Sequence, residues 1–144
     1  DLAARGIPPG SPDYTNYLRE MQNIWGEADP INYGRAAGAG PTPILSMITN
    51  NDLATPPASG LRFVDAIGLD QVTTPGPNLT SRGFTRLLEG EHGGFIDPTT
   101  TPGGVATIEM QTEAVVFVAG NPLAGLPPNG QVILISNPEI VETD

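Results

Sequence analysis

The chain predicts an α/β fold built on a partly parallel sheet. Helical and strand patterns alternate along its length in the order helix, strand, helix, strand, helix, strand. The strand candidates are short apolar runs bounded by turn residues, as expected of buried strands. Glycine and proline, 18 and 16 of 144 residues, punctuate the elements with turns and loops. The length fits one domain, residues 1–144. Hydrophobic residues make up only 38% of the chain, so part of its core is expected to come from elsewhere. Three strands are too few for an isolated parallel sheet, which needs cover on both faces and protected edges. No pattern in the chain covers a second face generously, and the sheet is therefore expected to be completed by another polypeptide.

The opening DLAARGIPPGSP reads as loop. Ser11-Pro12 is a helix start, with Ser able to cap and Pro tolerated at the first helical position. Tyr14, Tyr17, Leu18, Met21, Ile24 and Trp25 then recur at helical spacing, predicting a packing helix that Gly26 and Asp29-Pro30 end. A connector, GRAAGAGPTP, leads into the first strand, Pro43–Thr49, which runs into the polar Asn50-Asn51-Asp52. Leu61–Leu69 reads as a short helix with Leu61, Val64 and Leu69 inward. Gly83–Leu88 is the second strand and ends in Glu89-Gly90-Glu91-His92-Gly93-Gly94. Asp97-Pro98 is a turn before the longest helix, Val105–Ala119, in which Ile108, Thr112, Val115 and Ala119 share a face and Gly120-Asn121 form the stop. Gln131–Ser136 is the third strand, with an acidic tail behind it.

Composition removes several function classes. Sixteen acidic against 6 basic side chains give a net charge of −10, which leaves no basic patch to neutralise nucleic-acid phosphates. Zero cysteines exclude disulfides, thiolate metal sites and thiol nucleophiles, and a single histidine excludes a multi-histidine metal site. Carboxylate chemistry, hydroxyl chemistry or one imidazole acting as a base remain. No apolar run approaches the ~18 residues of a membrane span, and no signal peptide opens the chain. It starts at Asp1 instead of a methionine, as a processed or truncated product would.

In open α/β sheets, functional groups collect at the carboxyl ends of the strands. Two of the three strands end in reactive residues: Asp52 after the first and His92 after the second, 40 positions later. Neighbouring parallel strands would bring the two side by side. The carboxylate would then fix the imidazole tautomer and stabilise the imidazolium, the orienting half of a hydroxyl-nucleophile triad. Gly90, Gly93 and Gly94 leave His92 little steric cover, and Glu91 is expected to face solvent. The competing reading is structural: a lone loop histidine, and an Asn-Asn-Asp turn doing ordinary turn chemistry. The nucleophile is missing from the chain. The G-x-S-x-G elbow is absent, and Ser11, Ser46, Ser59, Ser81 and Ser136 lack its strand–turn–helix context.

The segments GSPDYTNYL, EADPINYG, ILSMITNNDLATPP, IGLDQV and GEHGGFIDPTTTPGGVATIEMQTEAVVFVA resemble, in the same order, the C-terminal portion of bacterial extracellular lipases of the virulence-factor type. These are α/β-hydrolases, in which a strand and an Asp-containing turn supply the triad acid. A G-[DE]-H-[GS]-[SG]-[LF]-[LI]-D-P segment supplies the histidine, and an E-M-Q helix follows it. The resemblance implies that His92 is the base and Asp52 the acid. Asn51 stands where the family has glycine before the acid, and Leu53-Ala54-Thr55-Pro56 replaces its hydrophobic-Pro ending. It further implies that this chain forms the last strands and flanking helices of the hydrolase sheet. An N-terminal chain of the same enzyme would carry the nucleophilic Ser and the oxyanion hole, as in a proteolytically nicked heterodimer.

The resulting expectation is a secreted or cell-surface bacterial lipase or esterase that needs no cofactor or metal. Acylglycerols, lysophospholipids, short aryl esters and synthetic polyesters are all compatible substrates. The alternative is a non-catalytic acidic secreted binding module, calcium-binding or adhesive, although the regular D-x-D calcium spacing is absent.

Overall fold

The computed structural model describes residues 2–120, 125 and 130–143. The architecture is mixed α/β with two small sheets. Its principal elements are α1 (Pro12–Trp25), α2 (Gly34–Ala39), β1 (Ile44–Thr49), α3 (Pro57–Ile67), β2 (Gly76–Asn78), β3 (Arg82–Leu87), α4 (Val105–Ala119) and β4 (Ile133–Ile135). β1 and β3 pair in parallel, in register from Ile44 opposite Arg82 to Thr49 opposite Leu87. On its other side β3 bonds the backbone of two further segments. Val72 N donates to Phe84 O (2.8 Å) and Phe84 N to Asp70 O (3.0 Å), while Leu88 N donates to Ile140 O (2.7 Å) and Glu142 N to Arg86 O (2.8 Å). β3 is thus the inner strand.

The third strand departs from expectation. β4 pairs antiparallel with β2, Gly76 opposite Ile135, in a sheet separate from β1–β3. Gly-Pro-Asn carries no apolar alternation, so the pairing of the short strand β2 could not be inferred from patterning.

Both faces of the parallel pair are covered, although a second face was expected to have no generous cover. The period of two sends Ile48 and Phe84 to one side, where they join Val64, Ile67 and Leu69 beneath α3. Leu87 faces the other way and packs with Ala106, Met110 and Phe117 of α4 and with Ile133, Ile135, Ile140 and Val141. Both layers are thin, in keeping with the modest apolar content.

α3 starts at Pro57, four residues before Leu61, because proline is pre-set for the first helical turn; Gly68 in the left-handed region closes it. The connector before β1 holds α2. Its helicity comes from tertiary contact: a Cβ on Gly38 would lie 2.2 Å from the carbonyl oxygen of Ile67, so only glycine allows α2 to press on α3. The Arg82 guanidinium then donates to the carbonyls of Ala37, Gly38, Gly40 and Thr42 at 2.7–3.2 Å, satisfying the helix's orphan C-terminal acceptors.

Two helices bury something other than their expected faces. α1 is capped as expected, Ser11 Oγ accepting from Tyr14 N at 3.1 Å, yet none of its residues is buried, and Ile24 and Trp25 are 70% and 60% exposed. α4 has the expected bounds (Asn121 lies outside the described residues), but Ile108 and Val115 face outward. Its inward face carries Ala106, Thr107, Glu109, Met110, Glu113, Val116 and Phe117. Apolar residues surround this helix nearly all round, so periodicity alone does not choose a face. Glu109 and Glu113 turn inward because hydroxyl and amide donors meet them. Ser136 donates to Glu109 through both N (2.7 Å) and Oγ, and Thr85 Oγ1 donates to Glu113 Oε2 at 2.8 Å.

Candidate active site

β1 and β3 run side by side and in the same direction, so their carboxyl ends lie together. Asp52 stands three residues past β1 and His92 five past β3, and their side chains meet: His92 Nδ1 is 3.1 Å from Asp52 Oδ2. A carboxylate only accepts, so the proton of this bond sits on Nδ1. Nε2 has no partner among the described residues, and the His92 side chain is 64% exposed.

The acid turn divides its two oxygens. Oδ1 accepts from the backbone N–H groups of Ala54 (2.9 Å) and Thr55 (2.7 Å), which leaves Oδ2 for the imidazole. The Thr55 N–H is the largest influence holding the Asp52 carboxyl below its usual range; partial desolvation opposes it, and the contacts with His92 and Ala54 N–H reinforce it. Asp52 therefore stays ionised and in one orientation at neutral pH.

The base loop is fixed from below. Thr107 Oγ1, one turn into α4, donates to the carbonyls of Gly94 and Asp97, and Gln111 Nε2 donates to Phe95 O at 2.9 Å. Asp97 Oδ1 accepts from Thr99 N (2.9 Å) and Thr99 Oγ1 (2.6 Å), which forms the expected turn before α4. The sequence signal for these tethers was weak. Thr and Gln on an apolar helix are visible, but the loop they hold is not.

Gly90 turns the chain from β3 into this loop at φ 101°, and a Cβ there would lie 3.2 Å from Ala106 Cβ and 3.3 Å from Thr49 Cγ2. Gly93 is also left-handed, at φ 79°, but has open space around it. Gly90→Ala is expected to lower stability by about 1–3 kcal/mol, and by more than Gly93→Ala. Urea unfolding midpoints of the two variants check this.

No family model, curated protein or solved structure matches the chain.

Two serines use their hydroxyls structurally, Ser11 and Ser136, and the other three are known by placement or backbone bonding. Ser11 caps α1, Ser46 is mid-strand, Ser59 lies in the first turns of α3, the Ser81 carbonyl accepts from Ile44 N, and Ser136 serves Glu109. None bonds His92. Among the described residues no group of three or more acidic or histidine side chains could hold a metal ion, and no helix is long and apolar enough to cross a membrane. Asp52 lines a cavity of about 100 Å³ together with Met47, Ile48, Thr49, Thr55, Pro57 and Gly60, too small for an ester substrate. Asp52 and His92 thus form an oriented base with an open proton-accepting nitrogen.

Proposed function

We propose that this chain is the acid- and base-bearing C-terminal segment of a serine carboxylic-ester hydrolase, a lipase or esterase of the α/β-hydrolase type. One observation carries the reading: the 3.1 Å contact between Asp52 and His92, across 40 residues, at the ends of adjacent parallel strands. In this mechanism a serine hydroxyl on a partner polypeptide attacks the ester carbonyl. His92 Nε2 takes the serine proton and delivers it to the leaving alcohol, forming an acyl-enzyme. The same nitrogen then activates water for deacylation, while Asp52 holds the ring and stabilises the imidazolium. The oxyanion donors come from the partner, as does the acyl pocket.

A partner chain is supported by the free edge of β1. Ile44 N and Asn50 N point to β3, donating to Ser81 O (2.8 Å) and Leu87 O (2.9 Å). By the two-residue period, the N–H and C=O groups of Leu45, Met47 and Thr49 point away, and among the described residues nothing pairs with them. Next to that edge runs an apolar groove of about 380 Å³ lined by Leu45, Met47, Phe95, Ala114, Phe117 and Val118. An edge of this kind seeks a strand. The N-terminal chain of the same enzyme fits the requirement, and a secreted or cell-surface bacterial setting fits the lipase resemblance.

The test is hydrolysis of a p-nitrophenyl ester by material purified with its partner, before and after treatment with a fluorophosphonate. Turnover abolished by the reagent is expected. Purification as a stable, lone 15.0 kDa species, with no co-purifying polypeptide that the fluorophosphonate labels, would favour the acidic binding module instead.

A further inference from the structure

Arg86 projects from β3 on the α3 side of the sheet, one residue before the strand ends. Its guanidinium addresses two groups at once. Nη2 donates to Asn50 Oδ1 at 3.0 Å, and Nη1 pairs with Glu142 Oε2 at 2.8 Å. Both partners are also held by backbone bonds to the same strand, Asn50 N to Leu87 O (2.9 Å) and Glu142 N to Arg86 O (2.8 Å). Asn50 is two residues before Asp52 and opens the turn that carries it. Residues 140–142, β3 and the acid turn are thus linked through one planar cation.

We propose that Arg86 is a positioning residue, which sets the Asp52 turn through Asn50 while Glu142 fixes the guanidinium. The inference rests on the Asp52–His92 reading. A half-exposed ion pair adds little to stability, so the pair Arg86–Glu142 does not account for itself on energetic grounds. The Arg86 Nε is buried and has no partner among the described residues, an expense that a purely structural surface pair has no need to carry. The fork geometry explains it: with the two Nη groups committed to Asn50 and Glu142, Nε has to point inward. A lysine, a point charge on a flexible stem, would not hold both partners in the fixed geometry of the fork. Anchored this way, Asn50 starts the turn in one register, so that the Ala54 and Thr55 N–H groups reach Oδ1 and Oδ2 is aimed at His92.

The single histidine makes the test direct, because the ¹⁵N-labelled full chain has only one imidazole to observe. In the unaltered chain, Nδ1 and Nε2 are expected to give separate signals of a locked Nδ1–H tautomer. Asn50→Ala and Arg86→Lys are expected to average the two signals partially while melting temperature stays unchanged. In the partnered enzyme the same variants are expected to lower kcat by about tenfold to a hundredfold with KM preserved. Asp52→Asn is run alongside. If Asp52→Asn changes the pattern and neither other variant does, the positioning role is overturned and the dyad stands. If Asp52→Asn also leaves the pattern unchanged, the dyad itself fails, and the proposal with it. A fall in melting temperature with kcat and the tautomer signals intact would show Arg86 to be structural only.

Discussion

Asp52→Asn is expected to lower kcat for ester hydrolysis by about 10⁴-fold, the cost of a wrongly held tautomer in serine triads. The amide presents an N–H donor as well as an acceptor. It can turn its donor towards Nδ1, which places the proton on Nε2, the nitrogen that must accept from serine. The Ala54 and Thr55 N–H groups continue to hold the side-chain oxygen, so the fold should survive and KM change little. His92→Ala removes the base altogether and is expected to abolish turnover. Steady-state kinetics of both variants, with circular dichroism to show an unchanged fold, check these outcomes.

Much of this site was legible in the sequence, and the reason is topological. Two apolar runs, each ending in a polar cluster and joined through a helix, imply parallel neighbours, so the ends carrying Asp52 and His92 had to coincide. Glycines beside a histidine likewise signalled an exposed ring. The division of Asp52's oxygens was not legible, because it depends on how Ala54 and Thr55 fold back. Nor was the pairing of β4, since Gly-Pro-Asn has no strand signature of its own. α1 shows the opposite failure: its apolar stripe is real, but a stripe does not state which surface covers it. In α4 the apolar pattern gave no sign that Glu109 and Glu113 belong to the inward face. Two glutamates one turn apart ordinarily mark a solvated face, so their burial against Ser136 and Thr85 could not be read from the helix pattern.

Those glutamates make the second large prediction. Glu113 is fully buried, receives one hydrogen bond from Thr85 and has an Oε1 with no partner among the described residues. Burial pushes its carboxyl up to about 8; the Thr85 hydroxyl opposes the shift, and neighbouring Glu109 adds to it. The folded chain therefore holds a proton that the unfolded chain, with a carboxyl near 4.5, releases. This contribution to stability is complete below pH 4.5 and is lost as pH rises to about 8. The loss is on the order of 4 kcal/mol. Asp52 and Asp97, whose carboxyls are lowered from 3.8, act in the opposite sense and only in acid, so they leave this window to Glu113. Glu113→Gln keeps an acceptor for Thr85 and cannot ionise. Its urea midpoint is expected to vary little between pH 5 and 8, whereas that of the unaltered chain falls.

Mass analysis of the purified protein after fluorophosphonate treatment tests the central claim most directly. The expected result is one phosphonyl adduct on a serine of a second polypeptide, with the 144-residue chain unmodified and the adduct lost when His92 is replaced by Ala. An adduct that forms equally fast without the imidazole, or one on a serine of this chain, would contradict it.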